Sequence, residues 1–232
     1  MMFVRENSEG EYADSGSWLY KGQAKEMVIQ NSIFSREGCE RVMRYAYDLA
    51  RSKNKTLTSI SKANALNYSM VFWDQIFKEI GKDYPDVKTT TYLVDAASML
   101  MIKDPKRFQV VVASNLFGDI LTDLGAAIAG GIGLAAGANL NPERKYPPMF
   151  EPIHGSANDI AGKGIANPLA AIWSISQMLD YLGYEKEGTL VLSCIEKVLK
   201  DAQVLTPDMG GNASTSQTGD EVVKQLDALY HH

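Results

Sequence analysis

Apolar residues follow two alternating rhythms along the first half of this chain. Short apolar or β-branched runs at Lys25–Gln30, Thr56–Ile60, Thr89–Val94 and Val110–Ala113 read as strands. Between them, apolar residues fall at helical spacing. Ser35 is placed to cap a helix carrying Val42, Tyr45, Ala46, Leu49 and Ala50. Met70, Trp73, Ile76, Phe77 and Ile80 form a second stripe, ended by Gly81, and Leu116–Ala129 reads as a third helix. Strands alternating with helices predict βαβ units around a mostly parallel sheet.

The rhythm changes after Gly130. Gly130 to Pro148 is rich in Gly, Asn and Pro and reads largely as loop, followed by a strand candidate at Met149–Ile153. Asn167 is placed to cap a helix with Pro168 at its first position and Gly183 just past its end. Two more helices carry Leu190, Val191, Cys194, Ile195, Val198 and Leu199, and then Val222, Val223, Leu226 and Leu229. These apolar faces have few local strands to cover them. Either they borrow a sheet from the first half, or part of a domain lies outside this chain.

Composition narrows the classes. Of 232 residues, 45% are hydrophobic and 22% charged, which is globular composition, and the length fits one or two domains. The net charge of −5 is scattered without a basic block, which argues against a nucleic-acid partner. No apolar run approaches the roughly 18 residues of a membrane span, and the start has no secretory h-region. Cys39 and Cys194 are far apart and form no CxxC or Cys/His cluster, so neither a disulfide framework nor a zinc site is indicated. The expectation is a cytoplasmic protein. His231 and His232 are given no function.

Each of three strand candidates leads into a chemically useful residue: Thr56–Ile60 into Lys62, Thr89–Val94 into Asp95, and Val110–Ala113 into Asn115 and Asp119. Ligands of open α/β sheets bind outside the carboxyl ends of the strands. Asp119 and Asp123, four apart on a predicted helix, share a face and repel each other. A hard divalent cation such as Mg²⁺ or Mn²⁺ reverses that cost, and Asp95 could supply a third carboxylate. A solvated acidic face is the alternative, weakened by the apolar Leu116, Phe117, Ile120, Leu121 and Leu124 around it. Gly131-x-Gly133-x-x-Ala136 fits a loose dinucleotide fingerprint but lacks the strand before and the helix after it. The small residues of His154-Gly-Ser-Ala-Asn-Asp159 allow close ligand approach. Asp159 there could accept hydrogen bonds from an adenosine ribose and would repel the 2′-phosphate of NADP.

Several blocks, in order along essentially the whole chain, resemble the metal-dependent β-decarboxylating dehydrogenases, the isocitrate/isopropylmalate dehydrogenase family. They are Val4-Arg-Glu-Asn-Ser-Glu-Gly-Glu-Tyr12, Ser61-Lys-Ala-Asn64, Val94-Asp-Ala96, Asn115 to Asp123, Phe150-Glu-Pro-Ile-His-Gly-Ser-Ala157 and Asp159 to Pro168. Within the family the chain looks most like the tartrate/D-malate dehydrogenases, through Arg5–Tyr12, Thr56–Ser59, Ala138–Arg144 and Thr206–Ala213. Val94-Asp-Ala-Ala97 looks more like isopropylmalate dehydrogenase.

The resemblance implies an α/β, isopropylmalate dehydrogenase-like fold. Residues 1–126 would form a dimerisation and substrate-metal domain, and residues 127–232 the C-terminal part of an incomplete dinucleotide-binding domain. It implies Tyr12 and Lys62 as the catalytic pair, and Arg5 and Asn64 on the substrate. Asp95, Asp119 and Asp123 would hold Mg²⁺ or Mn²⁺, with K⁺ as a further candidate ion. His154, Gly155, Ser156, Ala157, Asp159 and Asn167 would form the adenosine side of an NAD site. It implies a homodimer whose active sites are shared, Lys62 and Asp95 completing the site of the other subunit. The substrate would be a small 2-hydroxy dicarboxylic acid, D-malate or tartrate, with isopropylmalate and isocitrate as alternatives and a non-catalytic dimerising paralogue as another class. A hydrolase using only the Asp cluster would leave the His154–Asp159 loop without a purpose. The family's chains start well before Met1, so the resemblance also implies N-terminal truncation and little or no activity of this chain alone. Asn158 stands where the family usually has Pro, and Ala135-Ala136 where a Pro-Ser pair is common. Both loosen loops near the cofactor site.

Overall fold

The computed structural model describes residues Met1–Tyr230; His231 and His232 lie outside them. The chain is α/β and divides into two compact units, Met1–Gly125 and the segment from Ala126 onward.

The first unit is built on a parallel sheet ordered β1-β6-β4-β5. Its strands are β1 (Met2–Arg5), β4 (Leu57–Ser61), β5 (Thr89–Leu93) and β6 (Val110–Ala113). Registers run Met2↔Val110 to Arg5↔Ala113 and Leu57↔Thr89 to Ser61↔Leu93, so the carboxyl ends lie along one edge. Strands β4 and β6 are buried at every position. A strand covered on both faces reads as a continuous apolar run, which is why Val110–Ala113 was recognisable. Helix α1 (Arg36–Ser52) packs on β1, β6 and β4; α2 (Ser69–Gly81) on β4; α3 (Val94–Lys103) on β4 and β5. Ser35 caps α1, its side chain accepting from Gly38 N–H at 2.9 Å. Trp73 of α2 is fully buried and donates its indole N–H to Ser59 Oγ of β4 at 3.0 Å, locking helix to strand.

Four elements depart from the sequence reading. Strand β1, only four residues long, has no pattern of its own in the sequence and is defined by its parallel pairing with β6. The run Thr89–Val94 ends one residue earlier as strand and turns directly into α3, whose N-cap Leu93 offers no side-chain cap. The polar segment Gly10–Leu19 is strand β2, paired antiparallel with β3 (Met27–Ile33), which overlaps the Lys25–Gln30 candidate but starts two residues later and ends three later. Its register shifts between Gly10 and Ser15, where Asp14 takes φ +44°. Gly16 is obligatory there, since a Cβ would run into the backbone carbonyl of Ile29 on β3. Fourth, the expected loop Gly130–Pro148 contains β7 (Ala136–Asn139), paired antiparallel with β8 (Met149–Pro152).

The second unit stacks α5 (Leu169–Leu182), α6 (Glu185–Asp201) and α7 (Thr215–Tyr230) in sequence, with β7 and β8 against α5. Its core joins Leu134, Leu169, Cys194, Ile195, Val198 and Val222. The helix start differs from expectation by one residue: Pro168 is the N-cap, and Asn167 Oδ1 accepts from Leu169 N–H at 3.0 Å. Gly183 closes the helix in the left-handed region, φ +92°. No helix among the described residues is long and apolar enough to cross a membrane.

Each unit carries one fully buried thiol, Cys39 and Cys194. Burial, reinforced by the charges of Glu9 and Glu6, pushes the Cys39 thiol up to about 12, and burial raises Cys194 as well. Only the thiolate reacts. The native protein at pH 8 is therefore expected to take up no aromatic disulfide reagent, and the guanidinium-unfolded chain to take up two equivalents. Fast labelling of the native form would disprove the packing around α1 or α6.

Candidate functional site

The parallel sheet decides where the polar residues gather. Strands β1, β4 and β5 end in, or lead directly into, Arg5, Lys62 and Asp95, and β6 leads into Ser114 and helix α4 (Asn115–Ala129). All stand at the edge where open α/β sheets bind ligands.

Two clusters form there. In the first, Arg5 donates Nε and Nη2 to Asn115 Oδ1 at 3.0 and 2.7 Å, and Nη1 to Asp119 Oδ1 at 2.6 Å. Tyr12 donates its hydroxyl to Asp119 Oδ2 at 3.1 Å. Arg5 reaches this position because Gly118 leaves space: a Cβ there would lie 2.6 Å from Arg5 Cγ. Partial desolvation, then the hydrogen bond and charge of Asp119, raise the Tyr12 phenol above its ordinary value, so at neutral pH it keeps a proton to give. In the second cluster, Lys62 Nζ donates to Asp95 Oδ1 at 2.7 Å. That bond, with backbone donors at the start of α3, holds the Asp95 carboxyl below the usual range. The pair therefore persists below the pH that would protonate a free aspartate, and is lost as pH falls through the lowered value.

Asp119 and Asp123 stand one helical turn apart on α4, both with side chains open to solvent. Among the described residues no three His, Cys, Asp or Glu side chains converge as a metal site. Within the chain Asp95 is paired with Lys62, and Asp119 with Arg5 and Tyr12. The carboxylate oxygens themselves are the donor type a hard dication takes.

In the second unit, residues Gly155 to Asp159 are exposed and His154 is half-buried, its Nδ1 3.0 Å from Gly155 O. Ala157 adopts φ +44°, turning the loop back so that Ile160 N–H donates to Ala157 O at 3.0 Å. The open, small-residue backbone fits close approach by a nucleotide. Asn167 is held by Asp208, accepting its side-chain N–H at 3.0 Å. Two residues that motif reasoning leaves without a role flank these groups: Asp208 accepts from Asn167, and Glu11 accepts from Ser114 Oγ and Leu116 N–H on either side of Asn115. Only the tertiary structure, not the spacing, could identify them.

The pattern of the isocitrate/isopropylmalate dehydrogenases matches residues 1–222. The chain belongs to that family. It is 45% identical over 226 residues to a probable tartrate dehydrogenase/decarboxylase of Bacillus subtilis, a match covering 97% of this chain and 63% of that protein. It is 48% identical to the D-malate dehydrogenase [decarboxylating] of Escherichia coli, covering 95% of this chain and 63% of the relative. Among solved structures, isocitrate dehydrogenase from Methylococcus capsulatus superposes with TM-score 0.89 at 39% identity, covering 97% of this chain and 66% of that one. The family's α/β fold is thus the fold of this chain, which spans about 63% of the length of the curated relatives it matches.

Proposed function

We propose that this family member works in the NAD-dependent oxidation, with decarboxylation, of a small 2-hydroxy dicarboxylic acid, D-malate or tartrate, in the cytoplasm. The observation that carries the reading is the meeting of Arg5, Tyr12 and Asp119 at the sheet edge that also presents Lys62 and Asp95. Asp119 and Asp123, with Asp95 from a second subunit, would hold Mg²⁺ or Mn²⁺. His154 to Ala157, Asp159 and Asn167 would hold the adenosine side of NAD. When bound, the cation would supply Lewis-acid polarisation and NAD would supply the hydride acceptor.

The chain's own residues do the rest. Arg5 binds a substrate carboxylate, and Asn64, two residues after Lys62, is assigned to the substrate with it. Lys62 accepts the proton of the 2-hydroxyl. After CO₂ leaves, Tyr12, held protonated at Asp119, returns a proton to carbon.

The homodimer we infer has a physical motive in the β2–β3 hairpin. Every residue of β3 is exposed, and Trp18 and Val28 are 57% and 60% exposed. A two-stranded hairpin alone is marginal in water, and an apolar edge seeks another strand. A second copy of the same hairpin supplies one and brings the two subunits' clusters into one assembly.

The test is NADH formation with D-malate, tartrate and isopropylmalate in the presence of Mn²⁺. It should be run on the 232 residues alone and on a chimera carrying the amino-terminal segment of the Escherichia coli relative. The expected result is a dimer with little or no turnover from the former, and turnover with D-malate or tartrate from the latter. A chimera that folds but oxidises none of the three acids would overturn the reading; preference for isopropylmalate would replace the substrate.

A further inference from the structure

The stretch Glu6–Tyr12 carries three carboxylates that the proposed chemistry does not use. Two of them hold their surroundings. Buried Glu6 accepts from the N–H groups of Ser8 and Glu9 at 3.0 and 2.8 Å. Glu9 accepts from Ser35 N–H at 2.8 Å, just before α1.

Glu11 reaches elsewhere. Its Oε1 accepts from Ser114 Oγ at 2.7 Å and its Oε2 from Leu116 N–H at 3.1 Å. The first N–H groups of a helix have no helical partner, and α4 has no acidic residue in its first turn. Alongside, Asn115 Nδ2 donates to Glu9 O at 3.1 Å. Residues 9–11 are thereby fastened to residues 114–116.

The two groups that must meet lie directly beyond this fastening. Tyr12 follows Glu11 in the chain, and Asp119 lies one turn along the helix from Asn115. Tyr12 is 51% exposed, and beyond the Arg5 guanidinium 5.9 Å from its ring centre, packing does little to place the ring. We propose that Glu11 is a positioning residue: its carboxylate, bridging Ser114 and Leu116, sets the register of the Tyr12 segment on α4 and so fixes the phenol against Asp119. A carboxylate that merely capped the helix would stabilise α4 and leave Tyr12 where it is. That difference chooses the experiment.

The 232-residue chain is labelled with [¹³Cζ]tyrosine, and the Tyr12 resonance is identified by its loss in Tyr12→Phe. In Glu11→Ala the Tyr12 signal is expected to move to the position of a free, exposed tyrosine. Glu11→Gln, which keeps an acceptor for Leu116 N–H, should restore most of the original shift. An unmoved signal in Glu11→Ala overturns the proposal. Should that variant not fold, Ser114→Ala removes one of the two donors and is expected to move the signal part-way; no movement there overturns it equally.

A kinetic arm rests on the dehydrogenase reading above. In the chimera, Glu11→Ala should lower kcat about 10²-fold, as small misplacements of a reacting group do, with KM for NAD unchanged. Adding Glu11→Ala to Tyr12→Phe should cost little more, whereas fully additive losses would overturn the role. If the parent chimera oxidises no 2-hydroxy acid, the functional reading fails while the resonance of Tyr12 still decides the role of Glu11.

Discussion

Replacing Lys62 by Met in the active chimera is expected to lower turnover by about 10²–10⁴-fold, the usual contribution of a positioned acid or base, without shifting the thermal midpoint. Lys62 stands at the end of β4, a strand buried at every position, so its backbone is fixed by the sheet rather than by the ammonium group. Its ion pair with Asp95 joins an aspartate whose side chain is 66% exposed. Pairs so open to solvent add little to stability, and Met keeps the length of the stem. A loss of activity with an unchanged midpoint therefore reports chemistry, not unfolding.

Tyr12→Phe is the companion. It keeps the ring and removes the hydroxyl that donates to Asp119 Oδ2. The two variants should differ in which step they slow. With substrate deuterated at C2, Lys62→Met should enlarge the isotope effect on kcat, since proton removal accompanies hydride departure. Tyr12→Phe should shrink it toward unity, because reprotonation of carbon comes after that step. Turnover left unchanged in both variants would refute the assignment of acid and base while leaving the family membership untouched.

How much of this was legible in the sequence follows from where each signal is stored. Strand β6 and helix α1 carry their signals locally, the first as an unbroken apolar run and the second as a helical stripe behind a Ser35 cap. Strand β2 carries none: Gly10–Leu19 is polar and Gly-containing, and it is a strand only because β3 lies beside it. The start of α3 was hidden because Leu93 gives no capping side chain and the β-rich run continues into it. The site divides in the same way. Spacing placed Asp119 and Asp123 on one helix face, and strand ends pointed to Lys62 and Asp95. The bond between Tyr12 and Asp119, 107 residues apart, leaves no local trace, and only the resemblance joined them. The hydrogen bond between Ser114 and Glu11, 103 residues apart, likewise arises only in the folded chain.

Co-expression of Lys62→Met and Tyr12→Phe chimeras, each expected to be nearly inactive by itself, should restore about a quarter of the activity of the parent chimera, on random pairing into twofold dimers. Asp119 is taken up with Arg5 and Tyr12, and Asp95 with Lys62. If each active site draws Tyr12, Asp119 and Asp123 from one subunit and Lys62 and Asp95 from the other, a mixed dimer contains one site with both lesions and one with neither. Half the dimers are mixed and half of their sites are intact, which gives the quarter. If each site came wholly from one chain, every site in the mixture would carry a lesion, and activity would stay at the level of the separate variants. On the proposed dimer, the hairpin should be required for this restored activity. A charge placed in β3, such as Val28→Asp at a position 60% exposed in the single chain, should leave the fold of the first unit intact. It should also shift the chain to monomer in sedimentation and abolish the restored activity. A mixture that recovers a quarter of parental turnover and loses it with Val28→Asp would tie catalysis to the pairing of two chains. Recovery that survives as monomer would place the whole site within one.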